Sequence, residues 1–99
     1  MTKAYPLATT LQLYIYGRNL LRQKKAREAF DVFKKAYAKD PNDIYTLIGM
    51  IKGNAATGNM KEAVKFGDKA LAISKDTNTK SYIEKMVADV KAGNDISNM

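Results

Sequence analysis

Neither cysteine nor histidine occurs in these 99 residues. Their absence removes disulfides, thiol nucleophiles, imidazole general bases and the common zinc sites together. Ten carboxylates remain for metal or acid–base chemistry, and they are scattered. Neither Glu62 with Asp68 nor Asp40 with Asp43 has a spacing that sets two carboxyl groups over one substrate. The expectation is a chain that is not an enzyme and uses no cofactor or metal. No stretch of eighteen apolar residues exists either, so no membrane span is expected. The N-terminal apolar run is broken by Pro6, Thr9, Thr10 and Gln12 before it reaches signal-peptide length. The compartment stays open, with the cytoplasm favoured, because a mature or excised secreted fragment would read the same.

What is present is an ordinary globular composition, 45% hydrophobic. A chain of this size forms one domain and buries roughly 60–65% of its unfolded surface. It also repeats. At an offset of 34 residues, 10–43 falls on 44–77 and Leu13 meets Leu47, Glu28 meets Glu62 and Ala29 meets Ala63. Lys35, Ala36 and Ala38 likewise meet Lys69, Ala70 and Ala72, and Arg18, Arg27 and Phe30 meet Lys52, Lys61 and Val64. That period suits one helix–turn–helix unit.

Local signals divide each unit into two helices. Thr9 or Thr10 caps a first helix in which Leu11, Leu13, Tyr14, Ile15, Leu20 and Leu21 recur at helical spacing. Gln23-Lys24-Lys25 is the expected turn, without glycine or proline. Ala29, Phe30, Phe33, Ala36 and Tyr37 form the buried stripe of a second helix, which Asp40-Pro41-Asn42-Asp43 stops. Asn42 or Asp43 then caps a third helix near 44–57, which ends at Thr57-Gly58-Asn59. Asn59 with Glu62 predicts a capping box for a fourth helix that runs to about Ser74. Lys75-Asp76-Thr77-Asn78 reads as a polar break. A last helix, roughly 79–92, carries a narrow stripe of Tyr82, Ile83, Met86, Val87 and Val90, as an end-closing helix does. Ala92-Gly93-Asn94 stops it.

In the first unit Leu13, Tyr16-Gly17, Leu20, Ala29, Phe33, Ala36 and Pro41 stand at the spacings of the tetratricopeptide repeat, and the chain resembles that family over about 10–90. The second unit keeps Leu47, Gly58, Ala63 and Ala70. It departs where Ile51 replaces a small residue, Gly67 an aromatic and Lys75 the proline. The resemblance implies an all-α fold of five helices, an α-solenoid of two hairpins with right-handed stacking and a C-terminal capping helix. The implied divisions are an N-terminal extension (1–9), repeat 1 (10–43), repeat 2 (44–77), the capping helix (78–93) and a frayed tail (94–99).

It also implies a concave groove that binds a peptide or partner helix, built from the first helix of each pair. Carried over by position, the groove takes Leu11, Tyr14, Ile15, Arg18, Leu21 and Arg22, then Tyr45, Ile48, Lys52 and Ala56, then Tyr82, Ile83 and Met86. Tyr14, Arg18, Tyr45 and Ile48 are expected to be substantially exposed. Such a surface suits a protein or peptide with apolar anchors and acidic character. The competing readings, ranked below a ligand groove, are cover by the N-terminal tail, by a second copy of the chain or by flanking repeats, and, last, plain core. The places where chaperone-binding members grip a C-terminal carboxylate hold Tyr14, Arg18, Gly49, Thr79 and Ile83, so that activity is not expected.

Charge offers a second candidate. The net charge is +7, and residues 1–43 carry nine basic against four acidic side chains. Arg22, Lys24, Lys25 and Arg27, with Arg18 a turn earlier, make a basic corner at the first turn. An acidic protein, nucleic acid or an anionic surface would suit it. No recognised nucleic-acid motif accompanies it, so nucleic acid is the alternative and the groove the leading reading.

Overall fold

Three of the helices start where backbone N–H groups find side-chain acceptors. In the computed structural model, which describes residues 9–96, α1 (Thr10–Arg22) opens on a reciprocal capping box. The Thr9 hydroxyl accepts from the Gln12 N–H at 3.1 Å, and the Gln12 side chain accepts from the Thr9 N–H at 2.9 Å. Asp43 caps α3 (Ile44–Ala56) through the Thr46 N–H, and Asp76 caps α5 (Thr77–Lys91) through Asn78 and Thr79. The Thr79 hydroxyl also donates to the Asp76 carboxylate, and these bonds hold that carboxyl below its ordinary range. The other two, α2 (Ala26–Lys39) and α4 (Met60–Ile73), begin without a side-chain cap. The capping box expected at Asn59 and Glu62 is therefore corrected. The Asn59 amide turns back to the Thr57 hydroxyl instead.

Three of the helices end in the same six-residue closure, with one residue in the left-handed region. Asn59 N–H bonds Asn54 C=O behind Gly58 (φ 89), and Asn94 N–H bonds Asp89 C=O behind Gly93 (φ 80). Lys25 N–H bonds Leu20 C=O behind Lys24 at φ 63, so the glycine-free turn closes as its glycine counterparts do. The break expected at 75–78 is shorter, because Asp76 is already the cap of α5.

The described residues thus form five helices and no strand, with short connections that lay consecutive helices side by side. The starts of α1 and α3, and of α2 and α4, are each 34 residues apart. Each helix packs on the next, and α1 also packs on α3. α3 is the central member, buried from Thr46 to Asn54 without interruption. The Phe33 ring of α2 makes this possible. A β-carbon on Gly17 or Gly49 would lie 2.3 or 2.6 Å from it, so only glycine lets α1 and α3 close over the ring. Ala29, Ala36, Ala63 and Ala70 are buried at the helix contacts, as the repeat pattern predicts.

Residues 1–8 and 97–99 of the expected extension and tail lie outside the described residues. Within the tail, the expectation of fraying is corrected at Ile96. It is buried, because the turn at Gly93 sends the chain back over a hollow lined by Leu21, Ala55, Ala56 and Met60. No helix among the described residues is long and apolar enough to cross a membrane, and no group of them has the side chains to hold a metal ion.

Candidate functional site on α1, α3 and α5

The matched positions of α1, α3 and α5 come together, with α3 in the middle. Tyr14, Ile48 and Tyr82 stand at successive offsets of 34, as do Arg18, Lys52 and Met86. Tyr14 packs its ring 6.1 Å from Phe33 on one side and 6.1 Å from Tyr45 on the other. Lys52 reaches across from α3 and donates to the Tyr14 hydroxyl at 2.9 Å. Its ammonium also lies 5.3 Å from the ring centroid, and the Arg18 guanidinium lies 5.9 Å from it.

Several positions expected on an open groove are instead covered. Tyr14 is 8% exposed and Lys52 only 1%, while Ile48, Leu21, Ile83 and Met86 are buried as well. The direct contact of α1 with α3 closes the inner part of the face on those two helices, while Ile83 and Met86 lie on α5, which packs on α4. Arg18 and Tyr82 are half-buried. Leu11, Ile15, Tyr45 and Arg22 remain exposed, Tyr45 by 40%. Ala56 sits at the far end, beside Ile96.

An open groove of about 320 Å³ runs over this covered layer, lined by Tyr14, Ile44, Tyr45, Ile48, Asn78, Thr79 and Tyr82. Ile44, Asn78 and Thr79 were missed by sequence reasoning. The repeat offset carries Tyr45 onto Thr79, whereas Ile44 and Asn78 match each other and neither belongs to the expected groove set.

Electrostatics distinguish this place from the rest of the surface. Burial, and then the charges of Arg18 and Arg22, lower the Lys52 ammonium to about 8. Burial, and then the neighbouring Tyr82 hydroxyl, push the Tyr14 phenol above its ordinary range. Burial raises Tyr82 too. The Nε of Arg18 is buried and has no hydrogen-bond partner among the described residues. A buried N–H donor left unmatched costs about 1–3 kcal/mol, more when the group is charged.

The basic corner does not converge in this way. Arg22, Lys24, Lys25 and Arg27 are all exposed. Arg22 and Lys24 line the hollow beside Ile96, about 480 Å³, whereas Arg27 lines a separate one with Phe30 and Lys34. The three ion pairs among the described residues, Asp31–Lys34, Glu62–Lys65 and Lys85–Asp89, are exposed contacts within single helices and do not involve the corner.

Comparison of the chain with protein-family models, with curated proteins and with solved structures gives no match in any of the three.

Proposed function

We propose that this chain is a non-catalytic protein–protein interaction module of tetratricopeptide-repeat type, a short α-solenoid whose α1, α3 and α5 hold a peptide or partner helix. The observation that carries the reading is the groove over Tyr14, Ile48 and Tyr82, flanked by exposed Tyr45 and edged along α1 by exposed Leu11 and Ile15. Leu11, Ile15 and Tyr45 stay exposed, and aromatic side chains of this kind anchor interfaces. The net charge of +7 favours a partner with acidic character and speeds its arrival.

The burial of Tyr14 and Ile48 moves the decisive substitution to Tyr45. Peptides selected on the intact chain from a random display library should lose about 2 kcal/mol or more of affinity on Tyr45→Ala, with melting unchanged within a few degrees. Retained affinity in that variant would remove the groove from consideration.

A second reading, an anionic surface or nucleic acid at the corner, is favoured by one observation. Arg22, Lys24, Lys25 and Arg27 are exposed and take part in none of the ion pairs among the described residues. Salt separates the two. Apolar anchoring survives a rise in ionic strength, whereas phosphate-backbone contacts lose affinity by orders of magnitude.

A further inference from the structure

Beyond the last helix the chain turns back on the molecule. Gly93 takes a φ of 80, and the Asn94 N–H closes the turn on the Asp89 C=O at 2.8 Å. The Asn94 side-chain amide donates to the Asp89 carboxylate at 3.3 Å, so two bonds set the direction in which the chain leaves α5. Three residues past Gly93, Ile96 is buried, with 2% of its surface exposed. It lies with Leu21 at the end of α1, Ala55 and Ala56 at the end of α3, and Met60 at the start of α4. Holding 94–96 on one path costs backbone entropy, and the burial of the Ile96 side chain works against that cost.

The tie matters because of what α5 otherwise rests on. Its buried stripe, Ile83, Met86, Val87 and Val90, belongs to a helix that packs on α4. The groove takes one wall from Tyr14 of α1, its middle from Ile44, Tyr45 and Ile48 of α3, and its other wall from Thr79 and Tyr82 of α5. Its width is therefore the position of α5 relative to α1 and α3. The seam with α4 fixes that position only through α4, whereas Ile96 reaches the ends of α1 and α3 themselves.

We propose that Ile96 is a positioning residue for the groove: seated beside Leu21, Ala55 and Ala56, it straps the end of α5 to the ends of α1 and α3 and so sets the spacing of the walls between which the ligand lies. The proposal rests on the groove reading above. Seating and binding are then coupled. A ligand that touches all three helices favours the spacing that the seated strap holds, and it tightens the strap in turn. One side chain anchors the strap, so ligand and tail bias each other without the unfolding of a helix.

The intact chain without ligand gives the first reading, by nuclear magnetic resonance. Ile96→Ser should shift the amide signals of Thr79 and Tyr82, which lie as much as about 20 Å from Gly93 along α5. It should also speed hydrogen exchange in α5 more than in α2. Ile96→Leu, which keeps an apolar anchor, should leave those signals close to the parent's. The second reading uses a peptide selected on the parent chain, at a temperature far below melting. Ile96→Ser should weaken it by about fivefold or more, the lower range of ordinary coupling between sites, and Ile96→Leu by less than about twofold. Val32→Ala truncates a buried side chain of α2 that lines neither the hollow nor the groove, and so controls for lost stability. Its affinity should match the parent's. Shifts confined to the neighbours of Ile96, or an affinity loss on Ile96→Ser no greater than on Val32→Ala, would each overturn the proposal and leave Ile96 a local plug. Its failure is distinct from failure of the groove. A peptide that loses affinity on Tyr45→Ala but not on Ile96→Ser keeps the groove and removes the strap. Where Tyr45→Ala leaves the peptide bound, the groove reading fails, and the Thr79 and Tyr82 signals alone decide whether Ile96 sets the spacing of the helices.

Discussion

The two hairpins solve the same packing problem with opposite choices of size. At the first seam α2 supplies the bulk, since Phe33 fits against Gly17 of α1 and against Gly49 and Gly53 of α3. At the second seam α4 supplies the hollow, since a β-carbon on Gly67 would lie 2.3 Å from a methyl of Val87 on α5. Gly67 matches Phe33 in the repeat, and Val87 matches Gly53. Knob and hole have changed sides. A repeat therefore preserves which helix faces meet, and leaves open which side of each contact is the large one.

The strongest way to break this comparison is to remove the larger knob. Phe33→Ala should cost about 3–5 kcal/mol, because the ring is fully buried and flanking glycines have no side chains with which to fill the space. Val87→Ala should cost less, about 1–3 kcal/mol. Urea denaturation of the two variants measures the difference. Equal losses would mean that the two seams carry similar weight and that the exchange of size has no energetic consequence.

A second matched pair differs in charge. Lys52 on α3 corresponds to Met86 on α5, and both are buried. The Lys52 ammonium is lowered from 10.5 to about 8 in the folded chain, so below that value it is charged in both states and the burial cost is present in full. As pH rises from about 8 toward 10, the folded state releases the proton while the unfolded state keeps it, and stability increases. Relative to Lys52→Met, the parent should gain about 2–3 kcal/mol between pH 7 and 10. Tyr14 and Tyr82 work in the other direction above about pH 10. Their folded pKa values are raised, so the unfolded state loses those protons first and stability falls. A parent and variant with parallel pH profiles would show that Lys52 is solvated.

These pairs also show what could be read beforehand. The five helices were legible because Thr9, Asp43, Gly58 and Gly93 mark ends by local bonding, which needs no tertiary knowledge. Ala29, Ala36 and Ala63 were legible as contact positions because a small residue recurs at the same offset. The inner site was not. A helical stripe tells which face is apolar, but the direct contact of α1 with α3 decides how much of that face is covered. Tyr14 and Ile48 went under for that reason. Lys52 was misread because a lysine beside an arginine column looks solvated, whereas the long alkyl stem let α3 bury it against Tyr14. Ile96 gave no periodic signal at all, lying past the last helix.

The second seam offers a finer test than deletion. Gly67→Ala alone should cost about 1–2 kcal/mol, since the new methyl meets Val87 and the gain in helix propensity, roughly 1 kcal/mol, offsets only part of the clash. Combined with Val87→Ala, the same methyl occupies vacated space. The double variant should then be more stable than the sum of the single losses by about 1 kcal/mol or more. Strict additivity would mean that α5 simply shifts away from α4, and that Val87 is no fitted knob.

The smallest expected effect concerns the turns. Lys24 and Gly58 are matched, and both hold the left-handed backbone that closes a helix. A side chain in that conformation costs roughly 1–2 kcal/mol, whereas glycine has more freedom to lose on folding, about 0.5–1 kcal/mol. Lys24→Gly should therefore stabilise the chain by a few tenths to about 1 kcal/mol, read as a rise in melting temperature of a few degrees. The second unit already has the better turn residue, so the first keeps a strained lysine where glycine would fit. Strain retained at an exposed cation is an argument for its use, and the nearest use is the encounter with an acidic partner. A stabilised Lys24→Gly variant should associate with an acidic groove peptide more slowly, with most of the deficit vanishing at high salt and dissociation unchanged. Unaltered association kinetics would reduce Lys24 to an imperfect turn residue and would take the corner out of the binding process.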